Sequence, residues 1–244
     1  MKILLFDIET SPNVGYTWGK YDQNVIDFQQ QWQLLTFAYK WLDEKTAHVV
    51  TRRDFKDKTD RSITKALHAL LDQADIVIAH NGDQFDNKKA RAKFVEHGLK
   101  PTSPYKMIDT KKIAKRHFSF TSNKLDDLGK LLGVGRKVKI SEGFDLWLGC
   151  MAGNAASFAT MAKYNKQDVL LLERVYKKLL PWDNKHPHAT KHAHTCPKCG
   201  GLLQKRGIAR TTTNEYQRYQ CTKCGGWSRD RKALLNKKKG VVNL

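Results

Sequence analysis

Acidic residues are scarce in this sequence. Its 244 residues carry 24 Asp and Glu against 44 Lys and Arg, a formal charge of +20. Folding does not need that excess, whereas a polyanionic partner would exploit it. Long apolar runs are missing as well. None approaches the 18 or more residues of a membrane-spanning helix, no long basic helix offers an apolar face to a membrane surface, and the N-terminus lacks the layout of a secretion leader. No membrane partner and a cytoplasmic location are the expectations. Cysteines number only five, and without a leader they do not read as a disulfide framework. Repeats of solenoid length are absent. Disorder is not indicated either, because 40% of the residues are hydrophobic and 10% aromatic. The length suits one substantial core with a small appendage, or two modest domains.

The basic excess is uneven. Residues 184–244 hold 14 Lys and Arg against two acids, so the C-terminal quarter is the more basic per residue. The N-terminus instead opens on a short apolar run, Ile3 to Phe6, that ends in Asp7 and Glu9. Such a run suits a central strand of a covered sheet. Side chains two apart on a strand leave the same face about 6.5–7 Å apart, so both carboxylates point into one volume. They would repel each other there, and a divalent cation would neutralise them. The plainer reading is a strand end whose acids meet solvent.

Strand-like segments follow at Leu34 to Trp41, Ala47 to Thr51 and Asp75 to Ala79. Helical spacing appears over Asp60 to Gln73, Ala90 to Gly98, Ser122 to Leu132, Phe144 to Met151 and Ala155 to Leu180, the last stopped by Pro181. The alternation favours an α/β fold. Asp86 lies just beyond a strand, where open α/β sheets gather ligands, with Asn81 and Phe85 on the same loop. An amide beside an aromatic ring suits a nucleotide's sugar or phosphate and its base; the loop reads equally as a turn with a helix cap. Tyr164 and Asp168 stand four apart on the long helix and so share one face, as a site pair or as an ordinary exposed pair.

Taken together, Phe6-Asp7-Ile8-Glu9-Thr10, Asn81-Gly82-Asp83-Gln84-Phe85-Asp86 and Tyr164-Asn165-Lys166-Gln167-Asp168 resemble the three motifs of the 3′–5′ exonuclease superfamily with the ribonuclease-H-like fold. Tyrosine at 164 resembles the tyrosine-type branch, closest to the exonuclease domains of family B DNA polymerases. The resemblance covers about residues 1–180; the sequence holds no polymerase domain, so proofreading in cis is not expected. It implies a mixed sheet flanked by helices and a metal-dependent 3′–5′ exonuclease. Two Mg²⁺ or Mn²⁺ ions would be held by Asp7, Glu9, Asp86 and Asp168, with Tyr164 orienting the attacking water. Asn81, Phe85 and Thr10 would hold the terminal nucleotide, DNA rather than RNA. Asp109 reads as a cap or turn. An endonuclease on the same fold, or a nucleic-acid adaptor that does not cut, are the rival readings.

Cys196-Pro197-Lys198-Cys199 and Cys221-Thr222-Lys223-Cys224 each precede two glycines. Four thiolates on two tight knuckles are what one structural Zn²⁺ takes, and the segment resembles a zinc ribbon; a redox dithiol is the competitor. Arg206, Arg210, Arg218 and Tyr219 between the knuckles mix cations with aromatics in the manner of a nucleic-acid grip. Cys150 reads as a buried small apolar residue. The expected division is a ribonuclease-H-like domain over 1–183, a linker over 184–195 with four histidines, the ribbon over 196–232 and a basic tail over 233–244.

Overall fold

The computed structural model describes residues 1–236 apart from 43, 58 and 191; most of the expected basic tail over 233–244 lies outside the described residues. In chain order the elements begin with β1 (Ile3–Thr10), a hairpin of β2 (Val14–Tyr16) and β3 (Asp27–Gln30), then β4 (Leu34–Trp41) and β5 (His48–Thr51). Next come α1 (Arg61–Leu71), β6 (Ile76–Ala79), α2 (Asp86–Glu96), β7 (Lys106–Asp109), α3 (Thr110–His117), α4 (Leu125–Leu131), α5 (Asp145–Met151) and α6 (Ala155–Leu179). The C-terminal part holds β8 (Leu203–Arg210), β9 (Asn214–Cys221), β10 (Trp227–Arg229) and β11 (Leu235–Asn236).

β1 is the central strand of a five-stranded mixed sheet ordered β5-β4-β1-β6-β7, antiparallel to β4 and parallel to β6. Its side chains alternate between two layers. Leu4, Phe6 and Ile8 pack with α1 and α2 through Ile63, Leu67, Ala90 and Phe94. Leu5 faces the other layer, with α3, α4 and α6 through Ile113, Leu128, Val169 and Leu172. Leu4, Leu5 and Phe6 are wholly buried, and each such side chain contributes about 1.5–3 kcal/mol. A one-residue slip would exchange the layers, so this burial also fixes Asp7 and Glu9 on the α6 side.

α4 starts at Leu125 rather than Ser122: the Ser122 hydroxyl donates to the Asp127 carboxylate (2.5 Å) and accepts the Lys124 N–H (3.3 Å), forming a turn ahead of the helix. The β2–β3 hairpin has no counterpart in the sequence reading. Its strands are short, and Tyr16, Trp18, Tyr21 and Phe28 are exposed, so no alternating apolar pattern marks it. Cys150 is buried with Leu35, Leu146, Phe158 and Met161, as expected of a small apolar residue. The four-stranded C-terminal sheet, ordered β10-β9-β11 with β8 on β9, stands against the end of α6. Lys198 Nζ donates to Pro181 O (2.7 Å) there, and residues on either side of 191 are held by contacts to α6 and to the C-terminal part. His186 Nε2 meets the Tyr176 hydroxyl (2.9 Å), and Ala189 N–H donates to Pro197 O (2.6 Å).

Candidate active site

Asp7 and Glu9 emerge on the α6 side of β1, and α6 brings Asp168 to meet them. One carboxylate oxygen from each of the three lies within 4.8 Å of the others. Asp86 reaches the same strand from the opposite layer. β6 pairs with β1 only as far as Leu5, and beyond that point Asp86 Oδ1 accepts the Ile8 N–H (3.1 Å), taking the place of a strand partner. Four acids from three separated segments thus surround the C-terminal end of β1.

Their protonation shows the electrostatic cost. Burial, then the charges of Asp86, Glu9 and Asp168, hold Asp7 well above the usual carboxylate range. Burial outweighs the nearby Lys137 cation and pushes Glu9 up to about 8. Asp86 is raised to about 7, again by burial, against the stabilising Ile8 N–H. Asp168 is also raised, burial exceeding the pull of Lys137. Its Oδ1 is buried with no hydrogen-bond partner, and Lys137 Nζ lies 2.7 Å from Oδ2 as an ion pair out of line for a hydrogen bond. One ammonium against four acids leaves the cluster undercompensated, and hard oxygen donors of this kind fit divalent cations.

Lys137 and Asn165 are the site residues that sequence reasoning missed. Lys137 comes from the loop between α4 and α5, where no spacing rule points to it, and its Nζ also donates to the Tyr164 hydroxyl (2.8 Å). Tyr164 is pushed up to about 12, first by burial and then by the Asp168 charge. Asn165 sits inside the third motif, wholly buried. Its Nδ2 donates to Asp7 Oδ2 (2.6 Å), and its Oδ1 accepts from the Thr36 hydroxyl (3.0 Å) of β4. The signal for Asn165 was a polar residue next to Tyr164 on the helical face that turns toward the sheet.

The loop ahead of α2 is shaped by backbone constraints. Asn81 has a left-handed φ of 68°, and a Cβ on Gly82 would run into the Ala79 and Met107 side chains. Asp109 caps α3 through the Lys111 and Lys112 N–H groups (2.9 and 3.3 Å) and also accepts the Asn81 N–H (2.9 Å). It is a cap, as expected, and ties that loop to β7. Phe85 is 40% exposed at the rim. Lys89 lies over the Trp32 and Phe85 rings (3.9 and 5.2 Å) and donates to Thr10 Oγ1 (3.2 Å). Thr10, Phe85 and Lys89 therefore form one side of the mouth.

The second cluster is apart from these residues. Cys196, Cys199, Cys221 and Cys224 bring their four sulfurs within 4.8 Å of one another, with Sγ–Sγ distances of 3.8 Å (196–224) and 3.5 Å (199–221). A tetrahedral Zn²⁺ with Zn–S bonds near 2.3 Å requires edges of about 3.8 Å. Gly201 and Gly226 lie against the sulfurs, where a Cβ would crowd them. Burial works against the Cys221 thiolate, but the Cys224 and Lys223 N–H groups outweigh it and bring that thiol down to about 7. The donor set fits a zinc-binding module.

The expected grip residues sort onto two faces of the C-terminal sheet. Arg218 stacks over Trp227 (4.9 Å), and across the register Arg229 lies over Tyr216 (3.7 Å), a ladder of cations and rings on one face. Arg206 joins through its carbonyl, which accepts Arg218 Nε (2.9 Å). Arg210 is paired with Glu215 (3.2 Å), and the Tyr219 hydroxyl donates to Asp230 (2.9 Å).

Comparison with curated proteins gives no match. The fold is similar to that of the family B DNA polymerase from the hyperthermophilic archaeon Pyrobaculum calidifontis, at 19% identity and a TM-score of 0.53. The likeness covers 74% of this chain and 25% of that one, so it concerns a quarter of the polymerase's length. Residues 4–180, well over half of the sequence, match the profile of the RNase_H superfamily, and the chain belongs to that superfamily.

Proposed function

We propose that the protein is a metal-dependent 3′–5′ exonuclease that hydrolyses phosphodiester bonds, in DNA in preference to RNA. Membership of the RNase_H superfamily supports a nuclease acting on nucleic acid, and the likeness to a DNA polymerase favours DNA. The observation that carries the reading is the undercompensated acid cluster, with three carboxylate oxygens within 4.8 Å and Asp168 Oδ1 unpartnered. Asp7, Glu9, Asp168 and Asp86 would hold two Mg²⁺ or Mn²⁺ ions. Such a pair lowers the pKa of bound water and offsets charge in the transition state.

The chain's own residues do the rest. A phenol held near 12 is too weak an acid to exist as a base at neutral pH, so Tyr164 orients the attacking water through its hydroxyl. Lys137 fixes that hydroxyl and faces Asp168, while Asn165 locks the Asp7 carboxylate toward α6. Phe85, Asn81 and Thr10 grip the terminal nucleotide, and Lys89, between two rings, offers a cation to its phosphate. Residues 1–183 cut. The ribbon over 196–232, folded on one Zn²⁺, anchors the strand through Arg206 and Arg218, with Arg210 and Tyr219 contributing from its edge and opposite face.

The test uses end-labelled linear DNA beside closed circular single-stranded DNA, with Mg²⁺, Mn²⁺ or a chelator. Shortening from the 3′ end with the circle spared is the expected result. Cutting of the circle would make the protein an endonuclease, and binding without cutting an adaptor.

A further inference from the structure

Residues 184–195 do more than connect. Pinned by the His186–Tyr176 and Ala189–Pro197 contacts and by a bridge between Thr195 and Leu202, the described residues of this segment, 184–190 and 192–195, lie across the ribbon as a strap. Between the strap and the sheet is a cleft of about 540 Å³, lined by His188 and His194 from the strap, Tyr219 and Ser228 from β9 and β10, and Arg231 and Lys232 just beyond. That volume falls within the roughly 300–1,000 Å³ of small-ligand sites and has room for one nucleotide.

The lining is unbalanced in charge. Among its described residues the one acid is Asp230, whose carboxylate already accepts the Tyr219 hydroxyl, and no acid among the described residues pairs with Arg231 or Lys232. Ser228 Oγ is buried without a hydrogen-bond partner, a donor left with nothing to donate to. Tyr219 and Ser228 stand opposite each other in the β9–β10 register, one residue out of phase with the Arg218–Trp227 and Arg229–Tyr216 ladder. Tyr219 and Ser228 therefore turn away from the ladder, and Arg229 alone belongs to the ladder while also lining the cleft. His194, with a left-handed φ of 62°, adds a backbone outlier of the kind that gathers at ligand clamps. Cations, a spare hydroxyl, imidazoles and a phenol ring around one cleft match a phosphate attached to an aromatic base.

We propose that this cleft binds one nucleotide of the nucleic-acid strand, its phosphate against Arg231 and Lys232 and its base along Tyr219. It would be a second, non-cutting site that holds the strand while the acid cluster works on its end. The inference rests on nucleic acid being the substrate. It also makes the histidine-rich strap part of the binding surface instead of a spacer.

The experiment measures binding of a labelled 20-nucleotide single strand by anisotropy, with full-length, zinc-loaded protein in an Asp7→Ala background so that nothing is cut. Replacing both cleft cations, Arg231→Ala with Lys232→Ala, is expected to weaken binding about tenfold at 0.15 M salt. Loss of two phosphate contacts flattens the dependence of log Kd on log salt by about 1.4. Arg231→Lys with Lys232→Arg should retain wild-type binding, and Arg61→Ala with Lys65→Ala, on α1, should change it less than twofold. Nucleoside monophosphate added as competitor distinguishes a free nucleotide from one within a strand. Displacement at millimolar concentration, lost in the cleft variant, identifies the former, and no displacement the latter. Unchanged affinity and salt slope in the cleft variant, or an equal loss in the α1 pair, would overturn the proposal. If the wild-type protein binds strands yet cuts none with either metal, the exonuclease reading fails while the cleft stands.

Discussion

Two clusters of buried charge sit in the two layers that sandwich the sheet, and they differ in whether each charge has an internal partner. On the α1–α2 side, Asp60 is 1% exposed and accepts the Leu34 N–H (2.8 Å) while facing the Lys93 ammonium (3.3 Å) and His97 Nε2 (2.7 Å). Lys93 pairs further with Glu96 (2.8 Å) and lies over the Trp32 ring (4.6 Å). Asp60, Glu96 and His97 are close enough together to suggest a metal site, but the Lys93 amine fills the place an ion would need. Around the end of β1, Asp7, Glu9 and Asp168 on the α6 side, with Asp86 reaching in from the other layer, share the single ammonium of Lys137. The first cluster is complete as a piece of structure. The second is complete only with cations from outside, which is why buried acids of similar chemistry read as framework in one layer and as active site in the other.

The sharpest way to break that contrast is to remove one acid from each. Asp7→Ala is expected to cut nuclease activity by at least about a thousandfold, as loss of the most central ligand of such a site should. It should leave metal-free stability equal or higher, because one of the mutually repelling carboxyls goes with it, which offsets the lost Asn165 bond. Asp60→Ala should do the reverse. It leaves the buried Lys93 with only the half-exposed Glu96, at a cost of roughly 3–5 kcal/mol, lowering Tm by roughly 10 °C while the folded fraction still cuts. Thermal melts and turnover on both variants decide the matter, and equal stability losses would make both clusters framework.

A titration sharpens the same point. In the folded chain Glu9 is raised from 4.5 to about 8 and Asp86 from 3.8 to about 7. Between about pH 4.5 and 8 the folded protein therefore keeps protons that the unfolded chain has released, and its stability falls as pH rises through that window. Melts of the metal-free protein from pH 5 to 8 should show a falling Tm. Millimolar Mn²⁺ should recover most of the loss near pH 8 in the wild type and less in Asp7→Ala. A flat profile would mean that the acids are compensated after all.

The two regions were not equally legible in the sequence. The four thiols are two local pairs whose spacing alone states their chemistry. The acids became a site only when three segments were placed around β1, and the apolar run from Ile3 to Phe6 is what made that placement readable. Helix boundaries were readable where capping was local, as at Asp109. They were less so at α4, which starts three residues after the expected Ser122, whereas α1 starts right after Asp60 although that carboxylate is spent on Lys93 and His97 instead of a cap. Lys137 escaped notice because it lies on a loop whose path no periodicity describes. Asn165 escaped because a buried amide between two known positions looks like filler until Thr36, from a strand 129 residues away, is seen to hold it.

Lys137 is where the two clusters come closest in kind, since it is the α6-side analogue of Lys93. Lys137→Met should lower turnover about 10- to 100-fold by freeing the Tyr164 hydroxyl, without the unfolding that loss of Lys93 would bring. The readout is kcat with KM for the strand nearly constant. A drop in Tm as large as that of Asp60→Ala would mean that Lys137 is framework too.

The smallest effect tests whether positioning matters at one remove. Thr36 is wholly buried, and its only described role at the site is to donate to Asn165 Oδ1, which turns the Asn165 amide toward Asp7. Thr36→Val keeps the shape and deletes the donor, leaving a buried acceptor unpaired at about 1–3 kcal/mol. If the amide then rotates, Asp7 loses its 2.6 Å bond and its fixed orientation. About 1 kcal/mol of that reaching the transition state corresponds to a roughly fivefold fall in kcat, with KM unchanged and Thr36→Ser restoring the rate. A loss of stability with kcat intact would instead confine Thr36 and Asn165 to the packing of β4 against α6, and leave Asp7 held by the burial of β1 alone.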